Sequence, residues 1–171
     1  MSTTNEFRLA SSVREEIEDF LYRENEMLDA WQLPQWYQLF DKEGAYHIVT
    51  PGMDNPDTAS PEHELFLVSD DMERLWQRVD RLMKPATHVE FPHSRTSHMV
   101  SNVRIWRESD EEFGVRTRFL VHRTKFDKTV AFFGHQIYRL RRSADGLRIR
   151  DKRCVLDFDS LSDQGKLTII L

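Results

Sequence analysis

The hydrophobic period of this chain changes once, and that change limits what the sequence can fold into. Up to about residue 85 apolar side chains recur at helical spacing; from about residue 99 they alternate. Val13, Ile17, Phe20, Leu21, Leu28 and Trp31 fall on one helical stripe, with Ser12 and Glu15 at capping-box spacing near its start. Pro34 ends this helix or opens the next in its first turn. Trp36, Tyr37, Leu39 and Phe40 then make a short second helix with an aromatic face. Met72, Leu75, Trp76, Val79, Leu82 and Met83 trace a third, the clearest amphipathic helix, with Asp70 and Glu73 at capping-box spacing and Pro85 as its stop.

Beyond it the alternation predicts long strands over Met99–Arg107, Val115–Lys125, Thr129–Arg142 and Leu147–Phe158. The separators are short, and Asp145-Gly146 is a hairpin signal, so the strands form an antiparallel meander. Shorter strands are expected at Tyr46–Thr50 and Glu64–Val68, with a turn at Asp41–Gly44. Leu167–Leu171 reads as a final edge strand, and residues 1–10 as a flexible tail. Pro51–Pro61 holds three prolines and reads as a long loop with a functional or interface role. Helices before strands argue α+β, with three helices on one face of a curved sheet in a single domain spanning 1–171. Val130, Phe132 and Tyr138 point to one face and Phe133 and Ile137 to the other, so both faces are covered and the chain is expected to oligomerise.

Composition removes several functions. The 171 residues carry a net charge of −5, which argues against a broad basic surface for nucleic acid. No apolar run is long enough to span a bilayer and no signal pattern opens the chain, so a cytoplasmic protein is expected. The single cysteine, Cys154, rules out an internal disulfide, a cysteine zinc finger and a Rieske centre, which needs two cysteines and two histidines. Six glycines hold no P-loop, dinucleotide fingerprint or nucleophile elbow.

Several side chains have the chemistry for a site, and each has a plainer reading beside it. His88, His93 and His98 with Glu90 are metal-ligand types, but a spacing of five shares neither a helix face nor a strand face. Arg95 suits a bidentate carboxylate pair, and His98 suits a general base or a buried network. The basic run Arg139, Arg141, Arg142, Arg148, Arg150, Lys152 and Arg153 alternates with apolar residues, which favours stems along a sheet with heads in water and a charged partner interface. Asp70-Asp71 suits helix capping, Cys154 a buried inert thiol, and the four tryptophans core or interface anchors.

The run Ser94-Arg95-Thr96-Ser97-His98-Met99-Val100-Ser101-Asn102-Val103 resembles the signature of the small (beta) subunits of aromatic-ring-hydroxylating dioxygenases. Glu15 to Glu24 with Leu28-Asp29, then Trp36 to Phe40, then Asp70-Asp71 with Leu75, Arg78 and Leu82 are similar to the family's three helices. Phe133-Gly134, Tyr138 to Arg141 and Val155-Leu156-Asp157 also fit, so the resemblance runs over about residues 12 to 171. It implies a cone-shaped fold like nuclear transport factor 2, with an antiparallel sheet of five to six strands wrapped on three N-terminal helices. It also implies a homotrimer joined to catalytic alpha subunits as α3β3, with the Rieske [2Fe–2S] cluster and mononuclear Fe(II) on alpha. Electrons would come from NAD(P)H through a reductase, with or without a ferredoxin. This chain would carry no catalytic, cofactor or metal residue. Arg95, His98, Asn102, Trp106 and Arg139 would be its subunit-interface residues. A competing reading is a stand-alone isomerase or dehydratase of the same fold, with His98, Tyr46 and Asp70 as acid–base groups; another is a binding protein for a small aromatic ligand.

Overall fold

A computed structural model describes residues 11–86 and 90–171. The expectation of a flexible tail at 1–10 and the candidate ligand His88 lie outside the described residues. Three helices, α1 (Ser11–Asp29), α2 (Leu33–Tyr37) and α3 (Met72–Met83), accompany six strands. These are β1 (Phe40–Ile48), β2 (Val68–Asp71), β3 (Arg95–Arg107), β4 (Glu112–Lys125), β5 (Lys128–Ser143) and β6 (Gly146–Leu156). They form one open, curved sheet in the order β2-β1-β6-β5-β4-β3. The α+β class and the long C-terminal meander agree with the alternation in the sequence.

The sheet is mixed rather than antiparallel throughout. β1 runs parallel to β6, with Tyr46 opposite Lys152 and Ile48 opposite Cys154. A hairpin forces neighbours to be antiparallel, but β1 reaches β6 only after the rest of the fold, so its direction is not set by a turn. The expected turn at Asp41–Gly44 lies inside β1, where the register slips between Phe40 and Ala45. Gly44 allows that irregularity: a Cβ there would fall 2.9 Å from the Asp41 carbonyl oxygen.

Other boundaries also shift for local reasons. α1 ends at Asp29, short of Trp31, because Trp31 takes a left-handed φ of 55°. Its N–H donates to the Leu28 carbonyl (3.1 Å), and that of Gln32 donates to Met27 (2.8 Å), a Schellman closure without the usual glycine. The strand expected at Glu64–Val68 is displaced to Val68–Asp71, where Asp70 pairs with Tyr46. The α3 cap is therefore Asp71, which accepts the Arg74 N–H at 2.9 Å, rather than Asp70. Trp76 and Met83 of that helix are exposed, while Leu75, Val79 and Leu82 are buried.

Residues 167–171 form no strand. Ile169, Ile170 and Leu171 sink into the core, and the Leu171 N–H donates to the Tyr46 hydroxyl at 3.0 Å. Register assigns the sheet faces. Tyr46, Gln136, Tyr138, Lys152 and Cys154 point inward. The opposite, outward face carries Arg95, Met99, Arg104 and Trp106 on β3 and Phe133 and Arg139 on β5.

Candidate subunit interface

The segment that holds the Ser94–Val103 run is the edge strand β3, and α1 caps its free edge with side chains. Asp29 accepts the His98 N–H (3.0 and 3.1 Å), the Thr96 hydroxyl (3.0 Å) and His98 Nδ1 (2.5 Å). Trp31 Nε1 donates to the Ser94 carbonyl at 2.9 Å, and Arg14 donates to that of Val103 at 3.3 Å. An exposed strand edge invites unwanted pairing, and these groups occupy it. His98 Nε2 meets the Ile170 carbonyl at 3.0 Å. Both ring nitrogens thus face oxygen atoms. Burial alone would raise the Asp29 carboxyl, but the His98 ring, its backbone N–H and its charge hold it below the usual range.

Each sequence-derived interface residue has a distinct position. Arg95 lies exposed at the start of β3, and its guanidinium has no partner among the described residues. His98 is turned inward, with 3% of its side chain exposed. Asn102 adopts a left-handed φ of 53° where the β3–β4 register slips between Ser101 and Arg104. Asparagine tolerates that conformation better than most residues, so its contribution is to the backbone of a bulge. Trp106 and Arg139 come together: Trp106 is opposite Gly114, and Gly114 is opposite Arg139. The indole lies over Gly114 so closely that a Cβ there would be 2.0 Å from Trp106 Cε2. Arg139 in turn reaches Glu108 (3.2 Å) and Glu112 (3.6 Å). Further along the same face Met99, Leu120 and Phe133 stand in one cross-strand row, and Phe133 meets Phe158 edge-on at 4.6 Å.

The proline-rich loop lies against its own sheet. Asp57 binds Arg116 and His135 Nε2 (2.5 and 2.6 Å), while Arg153 donates to the Pro56 and Asp57 carbonyls (3.1 and 2.7 Å). Burial opposes ionisation of Asp57, but the hydrogen bonds from Arg116 and His135 and the Arg116 charge hold its carboxyl low. The loop therefore covers part of β4–β6 and leaves the β3 side of the face open.

The inner face holds a buried charge pair. Glu24, fully buried, accepts from Lys152 (2.6 Å), Trp36 Nε1 (3.0 Å) and the Tyr138 hydroxyl (2.9 Å). Sequence reasoning missed this pair and placed the Lys152 head in water, although Glu24 falls on the apolar stripe of α1. Burial, joined by the Glu24 charge, raises the Tyr138 hydroxyl well above its ordinary range. Burial also pushes the Cys154 thiol up to about 11. Elsewhere in the basic run Arg142 pairs with Glu16, Arg150 with Glu43 and Arg141 with Asp41.

The acid–base candidates do not form one set. Tyr46 accepts from Leu171, Asp70 is held by Arg78 at 2.5 Å, and His98 is held by Asp29. Of the proposed metal ligands, His93 stacks on Trp31 at 4.0 Å, and Glu90 is buried against Arg123 at 2.5 Å. No group of three His, Cys, Asp or Glu able to hold a metal occurs among the described residues. With a single cysteine, the chain does not fit a Rieske cluster, which needs two.

Comparison with known families places this arrangement. Residues 23–163 match the model described as ring hydroxylating beta subunit. The chain belongs to this family. It is 46% identical over 158 residues to the small oxygenase component of the p-cumate 2,3-dioxygenase system of Pseudomonas putida, covering 92% of this chain and 87% of that one. The beta subunit of the benzoate 1,2-dioxygenase of Burkholderia mallei has the same fold, with a TM-score of 0.71 at 22% identity over 90% of this chain and 95% of that chain. So does an NTF2-like protein with a cystatin-like fold from Novosphingobium aromaticivorans, with a TM-score of 0.61 at 14% identity over 91% and 92%. Against that background, the Ser94–Val103 run of this beta subunit is an edge strand fastened to α1 through Asp29 and His98. Among the described residues no helix is long and apolar enough to cross a membrane.

Proposed function

We propose that this chain is the non-catalytic small subunit of a cytoplasmic ring-hydroxylating dioxygenase, trimeric by itself and joined to three catalytic alpha subunits as α3β3. The Rieske cluster and mononuclear iron sit on alpha, and a reductase, with or without a ferredoxin, delivers the electrons from NAD(P)H. The holoenzyme adds both atoms of O2 to an aromatic ring, and its relative's p-cumate points to an aromatic carboxylate as substrate class. The observation that carries the reading is the contrast within one sheet. The inward groups Glu24, Lys152, Tyr46 and Tyr138 are bonded to one another or to the chain's own last residues. On the outward face Arg95, Met99 and Trp106 remain exposed. Arginine, methionine and tryptophan are enriched at protein interfaces. Arg95, Trp106 and Arg139 act there directly. His98 acts from beneath and Asn102 through the backbone of the bulge, both by fixing the path of β3.

The chain expressed alone should be a colourless trimer, three copies of 20.4 kDa or about 61 kDa. Purified with its catalytic partner, it should run in a larger brown complex. Arg95→Ala should weaken that complex without changing the iron content per alpha chain. A variant complex of unchanged mass and activity would count against the role of Arg95, and a chain that never joins an iron–sulfur protein would overturn the reading as a whole.

A further inference from the structure

The outward side of β3 presents Arg95, Met99, Arg104 and Trp106, all exposed. Neither guanidinium has a partner among the described residues. A second exposed stripe lies on α1. Glu15, Asp19, Tyr22 and Glu26 recur at i, i+4, i+7 and i+11, which places them on one helical face. All four are exposed, Tyr22 to 49%, and none of the three carboxylates has a partner among the described residues. The two stripes have the same arrangement with opposite charge: cation, apolar side chain, cation on the strand, and anion, aromatic, anion on the helix.

We propose that the α1 stripe of one copy docks on the outward β3 stripe of the next, and that this helix-to-sheet contact closes the trimer. The inference rests on the trimeric reading given above and assigns its surfaces. A contact between two different patches is heterologous, the kind that generates rings when the rotation closes. Backbone pairing at the β3 edge is already blocked by Asp29, Arg14 and Trp31, so a neighbour meets side chains on the face. The helix stripe is ~16 Å long from Glu15 to Glu26, and the strand stripe ~30 Å from Arg95 to Arg104. Long arginine arms reach inward over the difference. Met99 and Tyr22, each between its charges, supply the apolar contact that makes the pairing more than ionic.

The test uses the full chain alone, with its mass followed by sedimentation over a range of concentration and salt. Arg95→Glu with Arg104→Glu, and separately Glu15→Lys with Asp19→Lys and Glu26→Lys, should each weaken trimerisation by roughly a hundredfold or more, since like charges then face each other. The chain with all five substitutions restores opposite charges and should recover the trimer to within about tenfold of the wild type. Arg95→Gln with Arg104→Gln removes charge without adding repulsion and should flatten the salt dependence. Thermal melting identifies the folded variants to be compared. Trimers indifferent to either reversal, or a folded five-fold variant that stays dissociated, would overturn the assignment. Normal trimers that fail to join the catalytic subunit would also overturn it, by giving the β3 surface to that partner. A wild-type chain that is monomeric throughout would instead overturn the trimeric reading on which the inference stands.

Discussion

The two faces of the sheet solve opposite problems with the same residue types. Inside, Glu24 and Lys152 are fully buried and bonded to each other, and Trp36 and Tyr138 satisfy the remaining carboxylate positions. Outside, Arg95 and Arg104 have no partner among the described residues, and Trp106 and Met99 are each more than two-fifths exposed. The inner charges are committed to one another, whereas the charges on the β3 side of the outer face are open to a neighbour.

The largest expected effect breaks the inner face. Lys152→Met should leave the Glu24 carboxylate buried without its cation, at a cost of about 3–5 kcal/mol in urea unfolding. Glu24→Gln combined with Lys152→Met removes both charges and should recover most of that loss, because a buried pair replaced whole is close to neutral. The double variant should still trimerise. A double variant as unstable as the single one would show that the lysine acts through packing over Trp36 and Tyr138, which it faces at 5.8 and 5.5 Å, rather than through charge.

Most of the fold was legible because it follows local periodicity. The three helices, the meander and the apolar groups on both sheet faces all come from spacing within fifteen residues or so. What the sequence did not disclose depends on contacts across the chain. Glu24 and Lys152 are far apart in sequence, and so are Asp29 and His98. Each member looks like an ordinary surface charge until its partner is beside it. The parallel β1–β6 pair was hidden because no turn connects those strands, and the end of α1 because tryptophan stands where glycine usually does. Glu24 alone left a trace: it sits on the buried stripe of its helix, where an acid needs a buried cation. The site was legible in part. Resemblance selected Arg95, Trp106 and Arg139, which do face outward. It selected His98 and Asn102 equally, and the structure places His98 inward and Asn102 at a bulge.

The junction between the faces is sharper under a pH test. Asp29 is held below its ordinary value of 3.8, so it contributes stability above that pH and loses it as the pH falls through the folded value. Asp29→Asn keeps the shape but removes the charge, at an expected cost of about 1–3 kcal/mol at neutral pH. The gap between the two proteins should persist at about pH 4 and narrow only as the pH falls below 3.8 through the lowered folded value, where wild-type Asp29 takes up its proton too. Urea midpoints at pH 7 and pH 3 check this. A gap that stays constant would mean that geometry, not ionisation, ties His98 to α1.

The smallest effect on stability should have the clearest effect on assembly. Gly114 is buried beneath Trp106, and a methyl group there would collide with the indole at Cε2, Nε1 and Cζ2, at 2.0 to 2.3 Å. The ring must move away, and with 43% of Trp106 already exposed it has solvent to move into. Folding loses the contact of one half-exposed ring but gains from the reduced freedom of alanine in a strand, so Gly114→Ala should change unfolding by less than about 1 kcal/mol. The indole would then stand off the sheet beside Arg139 and spoil the row that a neighbour meets. Native mass of the holoenzyme should show weakened assembly, as Trp106→Ala should. If Gly114→Ala assembles normally while Trp106→Ala does not, the indole is needed but its seat is not. If both assemble normally, this end of the outward face lies outside the contact, and the interface is confined to the Arg95 and Met99 end of β3.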